Sequence, residues 1–350
     1  MAADTPPPAD TPSDRDPAPR PRALDRKLRS IHAGTYTADD FVIADAKDAD
    51  MAFGAVSAGP LERDPAPGSR PGIHRTRAAY LDAMRAEVAA GAVDILLTSA
   101  SNGEVLAGDG SLGDEVTLAV RANDTTDIWT SRGSAYPSRP SRPFRTAHLP
   151  SVRPFCDLVL YSVTLNNDVH HDLATLEAYR DFRLEAAEAG IRHFLEVFNP
   201  NAPEGLAGED VPAFVNDSIV RLLAGVTAAH RPVFLKMAYN GRAAVAELVE
   251  HDPSLVVGIL GGSAGTTRDA MELLHRAEGA GARVSLFGRK IQRAESQLDL
   301  LATMRRVITA ELSPADGVRA YHEALAGAGI SPHRPLETDL QVSERVLREE

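Results

Sequence analysis

Eight runs of apolar, largely β-branched residues alternate with segments of helical periodicity along the chain. Most of these runs are apolar almost throughout, as is typical of parallel strands buried on both faces. Each run therefore predicts a strand inside a layered α/β domain. The runs span residues 40–47, 93–100, 116–123, 157–164, 193–199, 232–239, 255–261 and 283–288.

The segments between the runs predict helices over residues 76–90, 172–189 and 267–280, and each ends next to a glycine that can provide a left-handed cap. Thr266 and Asp269 fit a capping box at the start of the third helix. Eight strands alternating with helices predict a (β/α)8 TIM barrel, with an open doubly wound sheet as the main alternative.

Two connections fit the barrel poorly. Residues 101–115 are too short and too rich in glycine for a full helix, and residues 133–155 are rich in proline and arginine. The ends of the chain also differ from its middle, because the first 22 residues include seven prolines and show no apolar periodicity. We therefore expect a disordered Pro-rich tail at 1–25, a barrel domain at 26–325 and a C-terminal extension at 326–350.

Composition excludes several classes of protein. The 350 residues carry a net charge of −12, which gives no support for a nucleic-acid partner. The single cysteine, Cys156, cannot form an internal disulfide. No apolar run approaches the length of a membrane span, and the N-terminus lacks the pattern of a secretory signal. We therefore expect a cytoplasmic protein that binds neither nucleic acid nor membrane.

The cations of the chain are strongly biased. It contains 33 arginines but only four lysines, Lys27, Lys47, Lys236 and Lys290. Lys236 lies within the apolar run PVFLKMAY, where a charge is costly unless it is paired or neutralised. A desolvated lysine can lose its proton and attack a carbonyl group, which arginine cannot do. A structural ion pair with Glu196 or Asp45 is the alternative explanation.

Catalytic groups of a (β/α)8 barrel lie at the carboxyl ends of its strands. Polar side chains at these ends are therefore candidates for binding and acid–base chemistry. Besides Lys236, the candidates are Asp45 and Asp48 after strand 1, Tyr161 on strand 4, Glu196 on strand 5 and Tyr239 after strand 6.

The segments GILGGSAGTTRDA and SLFGRK predict an anion site. Loops after strands 7 and 8 commonly hold a phosphate in these barrels, glycines let backbone N–H groups approach it, and a helix start at Thr266 adds a favourable dipole. Arginine can add a bidentate contact. The candidate phosphate-binding residues are Gly261, Gly262, Ser263, Gly288 and Arg289.

A metal centre is not expected. The cluster Asp168-Val169-His170-His171-Asp172 contains metal-binding residue types, but adjacent histidines at a helix start point in different directions. We therefore expect neither a metal nor another cofactor.

The stretch from Phe234 to Ile291 resembles the archaeal-type class I fructose-bisphosphate aldolases and the related deoxyribose-phosphate aldolases. Lys236, Tyr239 and Gly241 match a Lys-x-x-Tyr-x-Gly motif on strand 6. The Gly-Gly loop after strand 7 and a Gly-Arg-Asn/Lys-Ile motif at strand 8 are matched as well. The resemblance implies a Schiff-base lysine at position 236 and phosphate binding by the two later loops.

The first half of the chain departs from the family pattern. The family has an Asp-His-Gly segment after strand 1, which Asp45 matches by strand position and Asp48 by its distance to the following glycine. Many relatives end strand 5 with Tyr-Pro-Arg-Gly and use the tyrosine as proton donor, but Asn199 stands here. Since positions 196 and 199 face opposite sides of a regular strand, Glu196 is the candidate donor if it points inward.

The sequence thus predicts a class I, metal-independent aldolase-like lyase or transferase. Its substrate is expected to be a small phosphorylated carbonyl compound, and assembly as a homo-oligomer is left open. The alternatives are a phosphate-sugar isomerase or synthase that forms no imine, and a non-catalytic barrel that binds a ligand.

Overall fold

The computed structural model describes residues 21–60, 74–123, 131–135, 138–261 and 265–349. Eight parallel strands pair in chain order, and the last pairs with the first to close the barrel. The strands are β1 (Val42–Lys47), β2 (Ile95–Thr98), β3 (Thr117–Arg121), β4 (Leu158–Thr164), β5 (Arg192–Phe198), β6 (Leu235–Met237), β7 (Gly258–Leu260) and β8 (Val284–Phe287). The prediction of a (β/α)8 barrel is confirmed, and each apolar run coincides with one strand to within a few residues.

Helices surround the barrel and pack on the outward side of its strands. None within the described ranges is long and apolar enough to cross a bilayer. The helices are α1 (Ala23–His32), α2 (Ala49–Phe53), α3 (Arg77–Ala89), α4 (Ala100–Gly108), α5 (Leu149–Val152), α6 (Val169–Glu188), α7 (Val211–Ala224), α8 (Arg242–His251), α9 (Thr267–Gly279), α10 (Arg289–Gln292), α11 (Gln297–Ile308), α12 (Pro314–Gly327), α13 (Leu336–Asp339) and α14 (Arg345–Arg348).

The two faces of the strands form separate cores. Alternate strand residues point into the barrel and make a compact inner core, while the others pack against the helices. This alternation decides which polar residues reach the interior. The inner core includes Val42, Ala44, Ile95, Leu97, Ala119, Leu158, Leu160, Phe194, Phe234, Val284 and Leu286.

Helix α1 packs on the inner core from the side where the strands begin. Leu24 is fully buried there, together with Leu28. Lys27 Nζ lies 2.9 Å from both the Phe41 carbonyl and Asp94 Oδ2. The predicted tail at 1–25 therefore extends too far, because the helix begins at Ala23 and buries apolar side chains. Residues 1–20 of that prediction lie outside the described ranges.

The glycine-rich connection after β2 folds as α4, a nine-residue helix. Gly103 lies so close to the barrel that an added Cβ would meet Val120 Cγ2 at 3.2 Å and the Phe155 ring at 3.4 Å. Glycine at position 103 thus permits close packing of the helix on the sheet. The connection contains this glycine for packing and still forms a helix, although its glycine content argued against one. Among the described residues of the proline- and arginine-rich connection after β3, the α-helix is the four-residue α5.

The C-terminal extension packs against the barrel domain. Leu347 of α14 is 2% exposed and belongs to the outer core. Asp339 accepts a hydrogen bond from the backbone N–H of Thr267 at 2.7 Å and contacts His322 Nε2 at 3.0 Å. The backbone N–H of Ser343 donates to Asp269 at 2.7 Å. The extension is therefore anchored at the start of α9.

Deleting residues 336–350 should lower the melting temperature by about 5 °C or more. Burial of one leucine contributes roughly 1.5–3 kcal/mol, and 1 kcal/mol shifts the melting of a domain of this size by about 2–4 °C. Deletion of residues 1–20, which lack apolar anchors, is the matched control and should leave melting unchanged. Equal shifts for the two deletions would contradict this assignment of the anchoring contacts.

Candidate functional site

Lys236 and Glu196 lie side by side inside the carboxyl end of the barrel. They are register partners on β6 and β5, and each shares the inward side of its strand with an inner-core phenylalanine. Lys236 Nζ is 2.5 Å from Glu196 Oε1, and the two side chains are 6% and 2% exposed. The pair is therefore largely removed from water.

A second cation–carboxylate pair completes this buried cluster. Arg121 Nη1 donates to Asp48 Oδ2 at 2.7 Å, and its Nη2 lies 3.5 Å from Glu196 Oε2. Ser162 Oγ donates to the same Glu196 oxygen at 2.6 Å. Arg121, Asp48, Glu196 and Lys236 thus form a quartet in which two positive and two negative groups balance, as buried charges require.

Asn123 holds the quartet in place. Its amide nitrogen donates to the Ser162 carbonyl at 2.9 Å, and its amide oxygen accepts from the Ser162 N–H at 2.6 Å. Its own carbonyl accepts from Arg121 Nε at 2.9 Å. The guanidinium is therefore fixed from two sides, which preorganises the charges that face Glu196 and Asp48.

The quartet borders a cavity of about 180 Å³ at the carboxyl ends of the strands. Charged groups make up one part of its wall, while apolar side chains and glycines make up the rest. Its lining includes Asp48, Arg121, Glu196, Lys236, Ala46, Ala49, Ala52, Phe53, Phe198, Leu260, Gly261, Leu286, Gly288 and Arg289. The cavity can place a polar ligand against a buried amine and two carboxylates.

Two of the predicted phosphate-loop glycines are required by close packing. A Cβ on Gly288 would lie 2.9 Å from the Ala46 carbonyl oxygen, and one on Gly261 would lie 2.6 Å from the Phe287 ring. Both residues line the cavity, as does Arg289. Gly262 and Ser263, the remaining residues of that prediction, lie outside the described ranges.

The start of α9 offers less to an external anion than the sequence indicated. The N–H of Thr266 donates to Asp269 Oδ2 at 2.8 Å, and that of Thr267 donates to Asp339 Oδ1 at 2.7 Å. Lys290 lies at the same place and donates to the Gly265 carbonyl at 3.2 Å. Carboxylates of the chain itself therefore occupy these two helix donors.

Asp45 does not reach the cavity, in contrast to what we expected from the sequence. It shares the outer side of β1 with Lys47, whose Nζ lies 2.7 Å from Asp45 Oδ2 and 2.8 Å from Glu87 Oε1 of α3. Gln297 accepts a further hydrogen bond from the Lys47 ammonium at 3.0 Å. Of the two predicted aspartates, only Asp48 enters the quartet. It directly follows Lys47 and points to the opposite side, into the barrel.

This outer cluster holds two carboxylates and one cation with almost no exposure to solvent. Burial raises the pKa of Asp45 well above its ordinary value, and the nearby Glu87 carboxylate raises it further against the opposing effect of Lys47. Burial opposes the charge on Lys47, but the two carboxylates outweigh it and raise the pKa of the lysine. The cluster is thus poised to retain a proton.

The two predicted tyrosines also lie outside the barrel. Tyr161 stacks on Phe182 of α6 with ring centroids 4.2 Å apart, and burial raises its pKa. Tyr239 borders a separate cavity of about 130 Å³ beside α9 and α14. Neither tyrosine lines the cavity that contains Lys236. Asn199 exchanges two hydrogen bonds with Asn240, at 2.8 and 2.9 Å.

Two members of the site were not selected from the sequence. Arg121 was visible as a polar residue at the end of strand 3, and Ser162 is hidden between Tyr161 and Val163 on strand 4. The signal that finds both is alternation, since Arg121 shares its side of the strand with Ala119, and Ser162 shares its side with Leu160.

The Asp168 cluster has a structural role. The Asp168 carboxylate accepts hydrogen bonds from the N–H groups of His170 and His171 and so caps α6. The described part of the chain contains no group of three or more His, Cys, Asp or Glu residues placed to hold a metal ion.

Comparison with known proteins adds information about the fold. No family model and no curated protein matches the sequence. An archaeal fructose 1,6-bisphosphate aldolase superposes with a TM-score of 0.57 over 82% of this chain and 99% of that one, at 14% identity. The chain has the fold of this aldolase.

Two further solved structures give the same result. A Schiff-base-forming fructose-1,6-bisphosphate aldolase gives a TM-score of 0.54 at 15% identity and covers 81% of this chain and 99% of its own. A protein from Corynebacterium glutamicum gives 0.56 at 18% identity, with coverage of 85% and 100%. At such identities the likeness shows the barrel, and the role of each residue has to be argued from the site.

Changing Asp45 to Asn should flatten the pH dependence of stability. Because the pKa of Asp45 is raised in the folded state, the native protein keeps a proton that the unfolded chain releases above about pH 4. Stability is therefore lost as pH rises towards the raised pKa, by up to ~1.4 kcal/mol per pH unit.

Urea unfolding at pH 5 and pH 8 measures this effect. The free energy of unfolding of the unmodified protein should fall relative to that of Asp45→Asn between these two pH values. Asp82→Asn, whose side chain is 72% exposed, is the control and should follow the unmodified protein. Parallel profiles for the unmodified protein and Asp45→Asn would show that Asp45 carries no additional proton.

Proposed function

We propose that the protein is a class I, Schiff-base-forming lyase or transferase of the aldolase type, acting on a small carbonyl compound that carries an anionic group such as phosphate. One observation carries the proposal. Lys236, one of only four lysines, lies buried against a carboxylate at the wall of a cavity on the side where barrel enzymes place their chemistry.

Glu196 is placed to move the protons that imine formation requires. The ammonium of Lys236 transfers a proton to Glu196 Oε1, 2.5 Å away, and the free amine attacks the carbonyl carbon of the substrate. Glu196 then returns the proton to the carbinolamine hydroxyl, which leaves as water and gives an iminium ion. Ser162 holds the other oxygen of the carboxylate during these steps.

The iminium ion supplies the electron sink for carbon–carbon cleavage, so the scheme uses neither a metal ion nor a cofactor. A carboxylate takes the proton of the substrate hydroxyl next to the bond that breaks, and the bonding electrons pass to the iminium to form an enamine. Asp48 is the second carboxylate in the cavity and serves this step, oriented by Arg121 at 2.7 Å.

Several observations support an aldolase rather than another barrel enzyme. The Lys-x-x-Tyr-x-Gly motif places its lysine inside the barrel and its tyrosine outside it. Two of the solved structures with this fold are named as fructose 1,6-bisphosphate aldolases. In the absence of the strand-5 tyrosine, Glu196 is the strand-5 group that can donate a proton, because an amide such as Asn199 cannot.

An isomerase that works with carboxylates alone is the second candidate, since Glu196 and Asp48 both face the cavity. Such an enzyme leaves the amine unmodified. A non-catalytic ligand-binding barrel would leave both substrate and amine unchanged. Trapping of the amine therefore separates the three functions.

Borohydride reduction in the presence of a carbonyl substrate should add covalent mass at Lys236. Peptide mapping by mass spectrometry measures this, and the three other lysines are internal references. Lys236→Arg should lose both the adduct and turnover, because arginine stays protonated. Lys290→Arg is the matched control and should keep both. An adduct at another lysine, or an active Lys236→Arg variant, would overturn the assignment.

Glu196→Gln should reduce turnover by about 10²–10⁴-fold, the usual contribution of a general acid–base. The amide retains the shape of the side chain but cannot carry the proton between Lys236 and the carbinolamine. Steady-state kinetics check this, with the exposed Glu204→Gln on the same face as control. Normal turnover of Glu196→Gln would show that Glu196 does not transfer the proton and that its pairing with Lys236 is structural.

A further inference from the structure

A second and larger cavity adjoins the site. Its volume is about 590 Å³, and it shares five lining residues with the smaller cavity that contains Lys236. Three of these five are alanine or glycine, so the two spaces are separated mainly by small residues. The shared residues are Ala46, Ala49, Phe53, Gly288 and Arg289.

The size of the two cavities indicates how they are used. Small-molecule pockets typically measure ~300–1,000 Å³. The cavity at Lys236 is well below that range, whereas the adjoining cavity lies inside it. A substrate that reacts at Lys236 therefore has room to extend past Arg289 into the larger cavity, between the segment from α2 to Pro60 and the segment from α10 to His333.

The larger cavity is rich in positive charge. Arg75, Arg289 and Arg293 line it and are exposed, as a ligand requires. Among the described residues that line it, Glu295 is the acidic one, and it already accepts from Tyr321 at 3.1 Å and contacts His333 Nδ1 at 3.1 Å. No ion-pair partner is found for Arg75 or Arg293 within the described part of the chain.

Two side chains of the same wall contain buried polar atoms without a hydrogen-bond partner among the described residues. These atoms are His74 Nδ1 and Gln292 Oε1. The Gln292 amide nitrogen is held by the Ala58 carbonyl at 2.9 Å, which fixes the direction of the oxygen. Unpartnered groups of this kind are uncommon in folded proteins.

On the other side of Arg289, at the start of α9, the backbone N–H groups of Thr266 and Thr267 are already bound within the chain. There, the Asp339 carboxylate occupies the Thr267 N–H, and Lys290 is committed to Gly265 and Thr267. Arg75 and Arg293, which line the larger cavity, place positive charge between β8 and β1. Arginine binds carboxylate and phosphate oxygens in the same bidentate manner, so both groups suit this surface.

We propose that the larger cavity binds the distal anionic end of an elongated carbonyl substrate, with Arg75 and Arg293 as the residues that select for the anion. This inference rests on the proposed imine at Lys236, which fixes the reacting end of the substrate. Carbon atoms between the two ends lie along Phe53 and the small residues of the shared wall.

Three matched ketones test the proposal. Fructose, fructose 6-phosphate and fructuronate share a C2 ketone and differ at C6, where they carry a hydroxyl, a phosphate and a carboxylate. Borohydride trapping at Lys236 gives a half-saturating concentration for each. In the unmodified protein, at least one anionic ketone should reach half-saturation at about tenfold lower concentration than fructose.

Arg293→Ala and Arg75→Ala should each remove most of that advantage and leave the trapping of fructose unchanged. Arg293→Lys should recover part of it through the retained charge. Arg306→Ala on α11, whose arginine is 49% exposed and pairs with Glu311, is the matched control and should behave as the unmodified protein. Thermal melting verifies that every variant is folded.

The outcomes distinguish the inference from the proposed function. Preference for the phosphate or the carboxylate identifies the anion. Equal trapping of all three ketones, or an advantage that survives both alanine variants, would refute the anion subsite while the imine stands. If no ketone is trapped, calorimetric titration of fructose 6-phosphate and fructuronate tests the subsite directly. Binding of either compound that is weakened by Arg293→Ala would support the anion subsite without the imine. The absence of binding would refute the subsite.

Discussion

The buried ion pair between Glu196 and Lys236 is the interaction on which the rest of the site depends. Its two members are register partners on adjacent strands, and the strand alternation points both into the barrel. A lone charge in that position would be strongly destabilising, so each requires the other. The pair in turn requires Arg121 and Asp48, because Glu196 faces the guanidinium as well as the amine. The charged quartet is one electrostatic unit.

The same physical rule produces a second buried cluster that has no access to the cavity. Asp45, Lys47 and Glu87 bring together a lysine and two carboxylates, the residue types that also make up the candidate site. The difference is one of direction, since these side chains point from β1 and α3 into the space between strand and helix. A buried lysine–carboxylate pair is thus no indication of catalysis by itself. The feature that distinguishes the candidate site from the outer cluster is its adjoining cavity.

Much of the fold can be predicted from sequence because hydrophobic runs and glycine caps are local signals. Each apolar run overlaps a strand, and Lys236 is buried as its surroundings predict. The site is harder to predict because a difference of one residue reverses the direction of a side chain. Asp45, Asp48 and Tyr161 were all chosen by residue type, and of these three only Asp48 points inward. Ser162, which was not chosen, also points inward.

Contacts between distant segments explain the remaining differences. The N–H of Thr267 is satisfied by Asp339, 72 residues later, and no local pattern around the glycine loop announces that contact. Its consequence is a difference between the two sides of the cavity rim. Carboxylates of the chain itself occupy the first donors of α9, while Arg289 and Arg293 beyond β8 face an open cavity. A loop motif therefore identifies glycines that let a backbone approach a ligand, but contacts with distant segments, such as that of Asp339 with Thr267, determine which donors of the finished fold stay available.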